Sequence, residues 1–323
     1  MHTSSPNDLQ TSFVFMSCNS RSRSPRKHGG PSPRCRNAGC SRLARCNALR
    51  GEEKATFDEE SHTYTIDGVV VQRSTTRLVE DIFEKFDSQA IVVKYYNSWK
   101  VQQDIRYWGI IQAHVCGDGS INDGAAMQEI LQKWAEAGAI ATRLGTELHL
   151  YVECVLNSNV HLPPGQNILK EARQFDEFLL SQFVKENELA IFRTELIVWF
   201  KMKDVIVSAG QIDAVFKGRE GYYIFDWKRV KPERDLTSFA RAFKNRTGFG
   251  PASNIPDTYH HRYSLQLSIY ARMLYSSYGL DVGNRLYILR MHDDLSAAEL
   301  VHCTDLRQIA DEVLRREYHN LLH

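Results

Sequence analysis

The chain has 323 residues, 43% of them hydrophobic and 24% charged, the balance of an ordinary folded protein with one large domain or two small ones. No run of eighteen apolar residues occurs: the best candidate, 189–200, is interrupted by Arg193 and Glu195, which excludes a membrane-spanning helix and a membrane partner. The net charge of +1 conceals an asymmetry, because residues 1–50 hold nine Lys and Arg against one acid, Asp8, a net +8 that leaves the rest at −7.

Residues 1–50 also carry nine serines and few large apolar side chains. Such a segment buries too little surface to offset the entropy of ordering it, so a disordered basic tail is expected there. Residues 9–16 and 41–50 could each form a short helix with an apolar side. An Arg- and Ser-rich, acid-poor composition is that of a transit peptide, for the mitochondrion or another organelle. The alternative reads residues 21–27 (RSRSPRK) as a nuclear or nucleic-acid-binding patch and places the chain in the nucleus or cytoplasm. Four of the seven cysteines (Cys18, Cys35, Cys40, Cys46) fall in this tail without a C-x-x-C pair, and Cys116, Cys154 and Cys303 are scattered, the pattern of a reduced protein.

Beyond the tail, residues 62–66 and 69–72 predict a β-hairpin turning on Asp67-Gly68. Ser74 can cap a helix carrying Leu78, Ile82, Phe83 and Phe86, and Ser88 a second helix to about Lys100. A Gly/Asp-rich loop over 117–124 leads into a helix over about 125–156, with a possible break at Gly138. Pro163-Pro164-Gly165 stops it, and 168–187 predicts one further helix. Strands are expected at 190–200, 205–217 and 222–230, a long helix at 259–277, a strand at 285–291, an edge strand at 299–302 and a C-terminal helix. There is no internal repeat. The order α, β, β, β, α, β predicts an α/β fold with a mixed central sheet flanked by helices. The expected divisions are a tail (1–50), a hairpin and helical region (51–143) and a core (144–323).

The densest chemistry lies in Gly210-Gln211-Ile212-Asp213 and Asp226-Trp227-Lys228. Strand alternation puts Asp226 and Lys228 on one face and Phe225 and Trp227 on the other. With a turn at Gly218-Arg219-Glu220-Gly221, Asp213 and Asp226 stand equally far from the turn centre and oppose each other, with Cβ atoms about 4.5–5.5 Å apart. Two readings compete. In one, these are solvated charges on a surface hairpin. In the other, the apolar neighbours Ile212, Ala214, Ile224, Phe225 and Trp227 make the hairpin interior, where unpaired carboxylates are costly and a hard cation such as Mg²⁺ offsets them. A helicase-type P-loop is absent.

Together with Gly145-Thr146-Glu147-Leu148-His149, Thr194-Glu195-Leu196 and Gln266-Leu267-Ser268-Ile269-Tyr270, these segments resemble, in order, five motifs of the PD-(D/E)XK nuclease superfamily in its RecB-like exonuclease branch. The likeness extends over about 144–293. It is loosest upstream, where His62-x-Tyr64, Ser74-Thr75-Thr76 and Phe86-Asp87 look like elements of phage and viral relatives of the mitochondrial genome maintenance exonucleases. One departure is Ile212, where proline would precede Asp213. The resemblance implies a restriction-endonuclease-like core (αβββαβ) with Mg²⁺ or Mn²⁺ held by His149, Asp213, Asp226 and the Trp227 backbone carbonyl. It implies catalytic roles for Asp213, Asp226, Lys228 and Glu195, with Lys228 on the hydrolytic water. Gln266 and Tyr270, at i and i+4 on one helix face, would meet DNA.

The expected activity is metal-dependent hydrolysis of phosphodiester bonds in DNA, by an exonuclease acting on single strands or free ends in DNA maintenance, repair or degradation. The alternatives are a catalytically inactive nucleic-acid-binding protein on the same fold and an RNA-directed nuclease. Some relatives hold an iron–sulfur cluster, but only Cys303 lies beyond residue 154, so none is expected. A local basic groove would draw on Lys228, Arg229, Lys231, Arg234, Arg241, Lys244 and Arg246, interleaved with Phe239, Phe243 and Phe249, unless that run is an ordinary solvated helix. His149 has the simpler alternative of a hydrogen-bonded core histidine, Glu195 that of an exposed strand acid, and His260-His261 reads as surface or, at most, phosphate contacts.

Overall fold

The computed structural model describes residues 42–158, 164–234, 236–237 and 245–323. The address and nucleic-acid readings of residues 1–41, with Cys18, Cys35 and Cys40, lie outside the described residues, as do Phe239, Arg241, Phe243 and Lys244.

The first described residues overturn the expectation of a tail reaching residue 50. Helix α1 (Arg42–Cys46) buries Leu43 and Ala44. The Arg42 Nε donates to the Asn157 carbonyl (2.8 Å) and the Asn47 Nδ2 to the Phe192 carbonyl (2.9 Å). Arg193, 1% exposed, donates to the Asn47 carbonyl and pairs with Glu52. A guanidinium this deep needs a carboxylate beside it, so the segment serves as its cover.

A small antiparallel sheet follows: β1 (Ala55–Asp58), β2 (Thr63–Ile66) and β3 (Val69–Val70). The β2–β3 turn is the expected Asp67-Gly68, with φ of 51° and 79°, the two positive values that a type I′ turn demands. β1 was not legible in the sequence. Helix α2 (Thr75–Ile82) is capped by Ser74, whose Oγ accepts from the Arg77 N–H, and α3 (Ser88–Val101) by Asp87 instead of the expected Ser88. Helix α4 (Trp108–Ala113) leads to α5 (Asp123–Ser158), 36 residues without a break at Gly138.

α5 joins two cores. Its first turns pack Ala126 and Ile130 with Val92, Tyr96, Trp99 and Ile111 of α3 and α4. Its last turns pack Leu144, Leu148, Val152 and Leu156 under the main sheet. Residues 135–143 between them are exposed. The expected boundary at residue 143 therefore falls inside one helix. α2 and the small sheet, expected in a separate region, contribute to the cores of the main sheet.

The single helix expected at 168–187 is two, α6 (Leu169–Leu179) and α7 (Gln182–Glu186), parted where Ser181 caps the second. Then β4 (Ala190–Met202), β5 (Val205–Gly218) and β6 (Gly221–Arg229) meander antiparallel. Helix α8 (Tyr259–Tyr278) carries the chain across to β7 (Leu286–Met291), parallel to β6, and β8 (Glu299–His302) lies antiparallel at the edge, before α9 (Arg307–Asn320). A parallel neighbour requires such a crossover. The result is a mixed five-stranded sheet, order β4-β5-β6-β7-β8, between two helical layers. α2, α8 and α9 cover one face, against Val198, Val207, Val215, Ile224 and Ile288. α5, α6 and α7 cover the other, against Ala214, Phe216, Phe225, Trp227 and Leu289. Among the described residues no helix is long and apolar enough to cross a membrane, and Cys46, Cys116, Cys154 and Cys303 are free thiols.

The packing of α1 gives a testable outcome. A chain starting at residue 42 should match the full chain in urea unfolding. One starting at Gly51 should lose about 1.5–3 kcal/mol, from Leu43 alone. Equal midpoints for the two truncates would show that α1 contributes nothing to the core.

Candidate active site

The candidate residues converge where β5 and β6 part. Their ladder runs from Gly218↔Gly221 to Ala214↔Phe225 and ends there, one pair short of Asp213 and Asp226. The expected opposition is thus the extrapolation of the observed register. In place of a further ladder bond, the Trp227 N–H donates to Asp213 Oδ2 at 2.8 Å. Alternation breaks at the same point: Ile212 and Val215 both pack in the α8 layer, with Ala214 on the other side. Across β5, the β4 register skips Glu195, whose φ of +48° lies in the left-handed region. For a non-glycine residue that conformation costs about 1–3 kcal/mol and is held by its surroundings.

His149 enters from the opposite layer. On α5, Leu144, Leu148 and Val152 point into the core and fix the helix azimuth, leaving His149 at the rim. Its Nε2 lies 2.9 Å from the Trp227 carbonyl, which only accepts, so Nε2 carries the proton. Nδ1 lies on the side of the site, 3.6 Å from Asp213 Oδ2. Ligand atoms of His149, Glu195 and Asp213 all lie within 4.8 Å of one another.

Asp226 and Lys228 project to the α8 side, as alternation requires, with Lys228 Nζ 2.5 Å from Asp226 Oδ2. Asp226 is 3% exposed, and its Oδ2 makes no hydrogen bond of good geometry. Burial pushes its carboxyl above the ordinary range. Lys228 opposes that shift and Asp213 adds to it. For Lys228, burial works against the charge, but the Asp226 and Asp213 carboxylates outweigh it and hold the ammonium above its usual value. Lys228 is therefore a fixed cation and donor, unsuited to act as a base.

A set of carboxylates, one imidazole and one backbone carbonyl, with a buried carboxylate whose one charged partner is Lys228, has the chemistry of a site for a hard divalent cation such as Mg²⁺ or Mn²⁺. His292, Asp293 and Asp294 also cluster, but His292 and Asp293 lie beside Arg229, on the other sheet face.

On α8, Gln266 Nε2 donates to the Tyr270 hydroxyl at 3.3 Å. Tyr270 is 5% exposed, and burial first, then Tyr64, Asp226 and Asp213, raise its phenol far above its ordinary value. A Cβ on Gly210 would stand 2.6 Å from Tyr270 Cε1 and 2.7 Å from Thr75 Oγ1, which explains the glycine of that motif by close approach.

Several expectations need correction. Arg229 is not on the Lys228 face: it donates to Glu171 (2.7 Å) and Asp293 (2.9 Å) and is structural. A residue adjacent to Lys228 in a strand has to face the other layer. Lys231 is exposed just past the strand, and its carbonyl accepts from Arg290. Arg246 pairs with Glu84. His260 and His261 are buried, His260 bonded to the Leu236 carbonyl and Thr304, and His261 to Thr258.

Two residues near the site were missed. Tyr64, mostly buried, has its phenol raised by burial and then by Glu195 and Asp213, so it borders the carboxylates. The His62-x-Tyr64 pattern was its only signal. Tyr263 lies beneath Lys228 Nζ, 5.2 Å from its ring centroid, and was legible as the residue seven before Tyr270 on the same helix face.

No family model matches the chain, and no curated protein does. Twelve solved chains match. One is a crystal structure described as a "Putative exonuclease" from Eubacterium rectale, 11% identical, over 74% of this chain and 67% of that chain, with a TM-score of 0.28. A superposition that loose has no bearing on individual site residues.

The two motif glycines separate space from propensity. Gly210→Ala should cost about 1–3 kcal/mol by overpacking Tyr270 and Thr75. Gly145→Ala, in mid-helix with nothing within 4 Å of its added Cβ, should stabilise by up to about 1 kcal/mol. Thermal unfolding of both variants decides: a neutral Gly210→Ala would refute the close approach.

Proposed function

We propose that the chain is a metal-dependent nuclease with a restriction-endonuclease-like core, hydrolysing phosphodiester bonds in DNA and acting from free ends. The observation that carries this reading is the buried Asp226, its Oδ2 held only by the Lys228 charge, beside an Asp213 fixed by the Trp227 N–H. An interior carboxylate of this kind is costly unless the site exists to receive a cation.

Asp213, Asp226, the Trp227 carbonyl and His149 would hold Mg²⁺ or Mn²⁺, with Glu195 offering a further carboxylate. The ion would supply Lewis acidity at the scissile phosphate. Lys228, kept protonated by its carboxylate neighbours, donates to the attacking water and offsets charge gathering on the phosphate oxygens. His149, held through its Nε2 to the Trp227 carbonyl, would offer Nδ1 to the ion without movement of α5. Gln266 and Tyr270 brace the α8 side of the cleft. The preference for free ends rests on the resemblance of the Gln266–Tyr270 segment to the exonuclease branch. The tail, by its composition, would carry an organellar address.

Two substitutions separate catalysis from binding. Asp226→Asn keeps the shape and removes an anionic ligand, so single-turnover cleavage of linear DNA with Mg²⁺ should fall about 100-fold or more, while metal-free DNA binding holds or tightens. Lys228→Ala should leave Mn²⁺ affinity by calorimetry in place, lower cleavage by a similar factor and weaken DNA binding slightly. Circular substrate should resist the parent. If both variants cleave at the parental rate, these residues are not the catalytic centre.

A further inference from the structure

Helix α8 carries a stripe of Tyr259, Tyr263, Gln266 and Tyr270, spaced i, i+4, i+7 and i+11 on one face. At its inner end Tyr270 borders the carboxylates, and Lys228 sits over the Tyr263 ring at 5.2 Å. One turn outward, the Tyr259 ring lies 6.4 Å from that of Tyr263. The Arg234 guanidinium stands over Tyr259 at 4.9 Å from its centroid. Tyr259 is 40% exposed and begins the helix, with Thr258 as its cap, so the ring is held on a rigid element at the outer end of the stripe. Arg234 and Lys231 are exposed, and no carboxylate among the described residues pairs with either. Cation, ring, ring and cation thus form a single row ending at the candidate catalytic lysine.

We propose that this row is the track for an unpaired strand: a base stacks on Tyr259, about one nucleotide outward from the phosphate beside Lys228, and Arg234 takes a backbone phosphate. The inference rests on the nuclease reading, with its expectation of single strands, and adds the residues that would hold the entering strand. A duplex keeps its base faces covered, whereas an unpaired base offers a π-face to a tyrosine, and the guanidinium above the ring is positioned for the phosphate alongside. Duplex binding alone would call for a broad basic surface, which a body of net charge −7 over residues 51–323 does not provide. The row concentrates what positive charge there is along one line.

The test is metal-free binding of a fluorescent DNA oligonucleotide, intact and with a single abasic site scanned along it, to the full-length parent, Tyr259→Ala, Tyr259→Trp and Arg234→Ala. Tyr259→Ala should weaken the intact single strand about 5- to 150-fold, the range of one lost base stack, and Tyr259→Trp should restore it. At one scanned position the abasic strand should bind the parent and Tyr259→Ala alike, because the base that stacks is gone. Arg234→Ala should reduce the slope of log affinity against log salt by about 0.7, one phosphate on a single strand. Blunt duplex should be insensitive to Tyr259→Ala. Parental affinity of Tyr259→Ala for the intact strand, or an equal loss on every abasic strand and on duplex, overturns the proposal. The assay needs no cleavage: a parent that binds single strands through Tyr259 but never cuts refutes the nuclease reading alone, and one that cuts while Tyr259→Ala binds normally refutes the track alone.

Discussion

The backbone of Trp227 is the joint on which the site and the core both depend. Its N–H donates to Asp213, its carbonyl accepts from His149, and its indole, 1% exposed, packs edge-on to Phe175 at 5.4 Å. One residue thereby ties β5, β6 and α5 together through two hydrogen bonds and one buried ring. Removing such a ring from a core costs about 3–5 kcal/mol, so the geometry of the polar groups is backed by a large apolar term. The two flanking residues, Asp226 and Lys228, face the opposite layer and inherit their positions from the same strand. A site built from the peptide group of a core residue is as rigid as the core itself.

That joint also explains which parts of the site were legible in the sequence. Strand alternation fixed the faces of residues 225 to 228, and the Gly218–Gly221 turn fixed the register as far as Ala214 and Phe225, one pair short of Asp213 and Asp226. The parting of the ladder did not follow from these rules, because it depends on a carboxylate replacing a backbone partner. Nor did the left-handed φ of Glu195, which falls where the β4–β5 register passes over it. Arg229 misled for a related reason: its sequence neighbours are basic and catalytic in pattern, but its partners Glu171 and Asp293 are 58 and 64 residues away.

The element boundaries divide in the same way. β4, β5, β6 and α8 were readable within two residues at each end, because long periodic runs bounded by turn residues leave few alternatives. The misses came where a local signal met a tertiary demand. Gly138 costs about 1 kcal/mol in a helix interior, too little to break a helix held by separate cores at its two ends. Ser181 is an ordinary cap signal hidden inside an apolar pattern, and α1, legible as a short helix with an apolar side, gave no local sign that Leu43 and Ala44 would be buried. Composition averaged over fifty residues could not see them.

Electrostatics give the site its direction. Asp213, Asp226 and Glu195 concentrate negative charge midway along β5, β6 and β4, where the β5–β6 ladder stops between two apolar layers, and Lys228 is the cation held beside Asp226. Burial and like charge both oppose ionisation of Asp226, while the same carboxylates hold Lys228 protonated. The protein alone therefore leaves this corner short of positive charge, and it does so at the point where α8 brings a lysine, two tyrosines and an arginine into line. Under the proposed nuclease reading, a divalent ion would relieve the deficit from within, and a polyanionic strand would approach along the side where the cations stand. The fold thus keeps two groups apart: carboxylates gather in mid-sheet where β5 and β6 part, and tyrosines line one face of α8 beside Lys228 and Arg234.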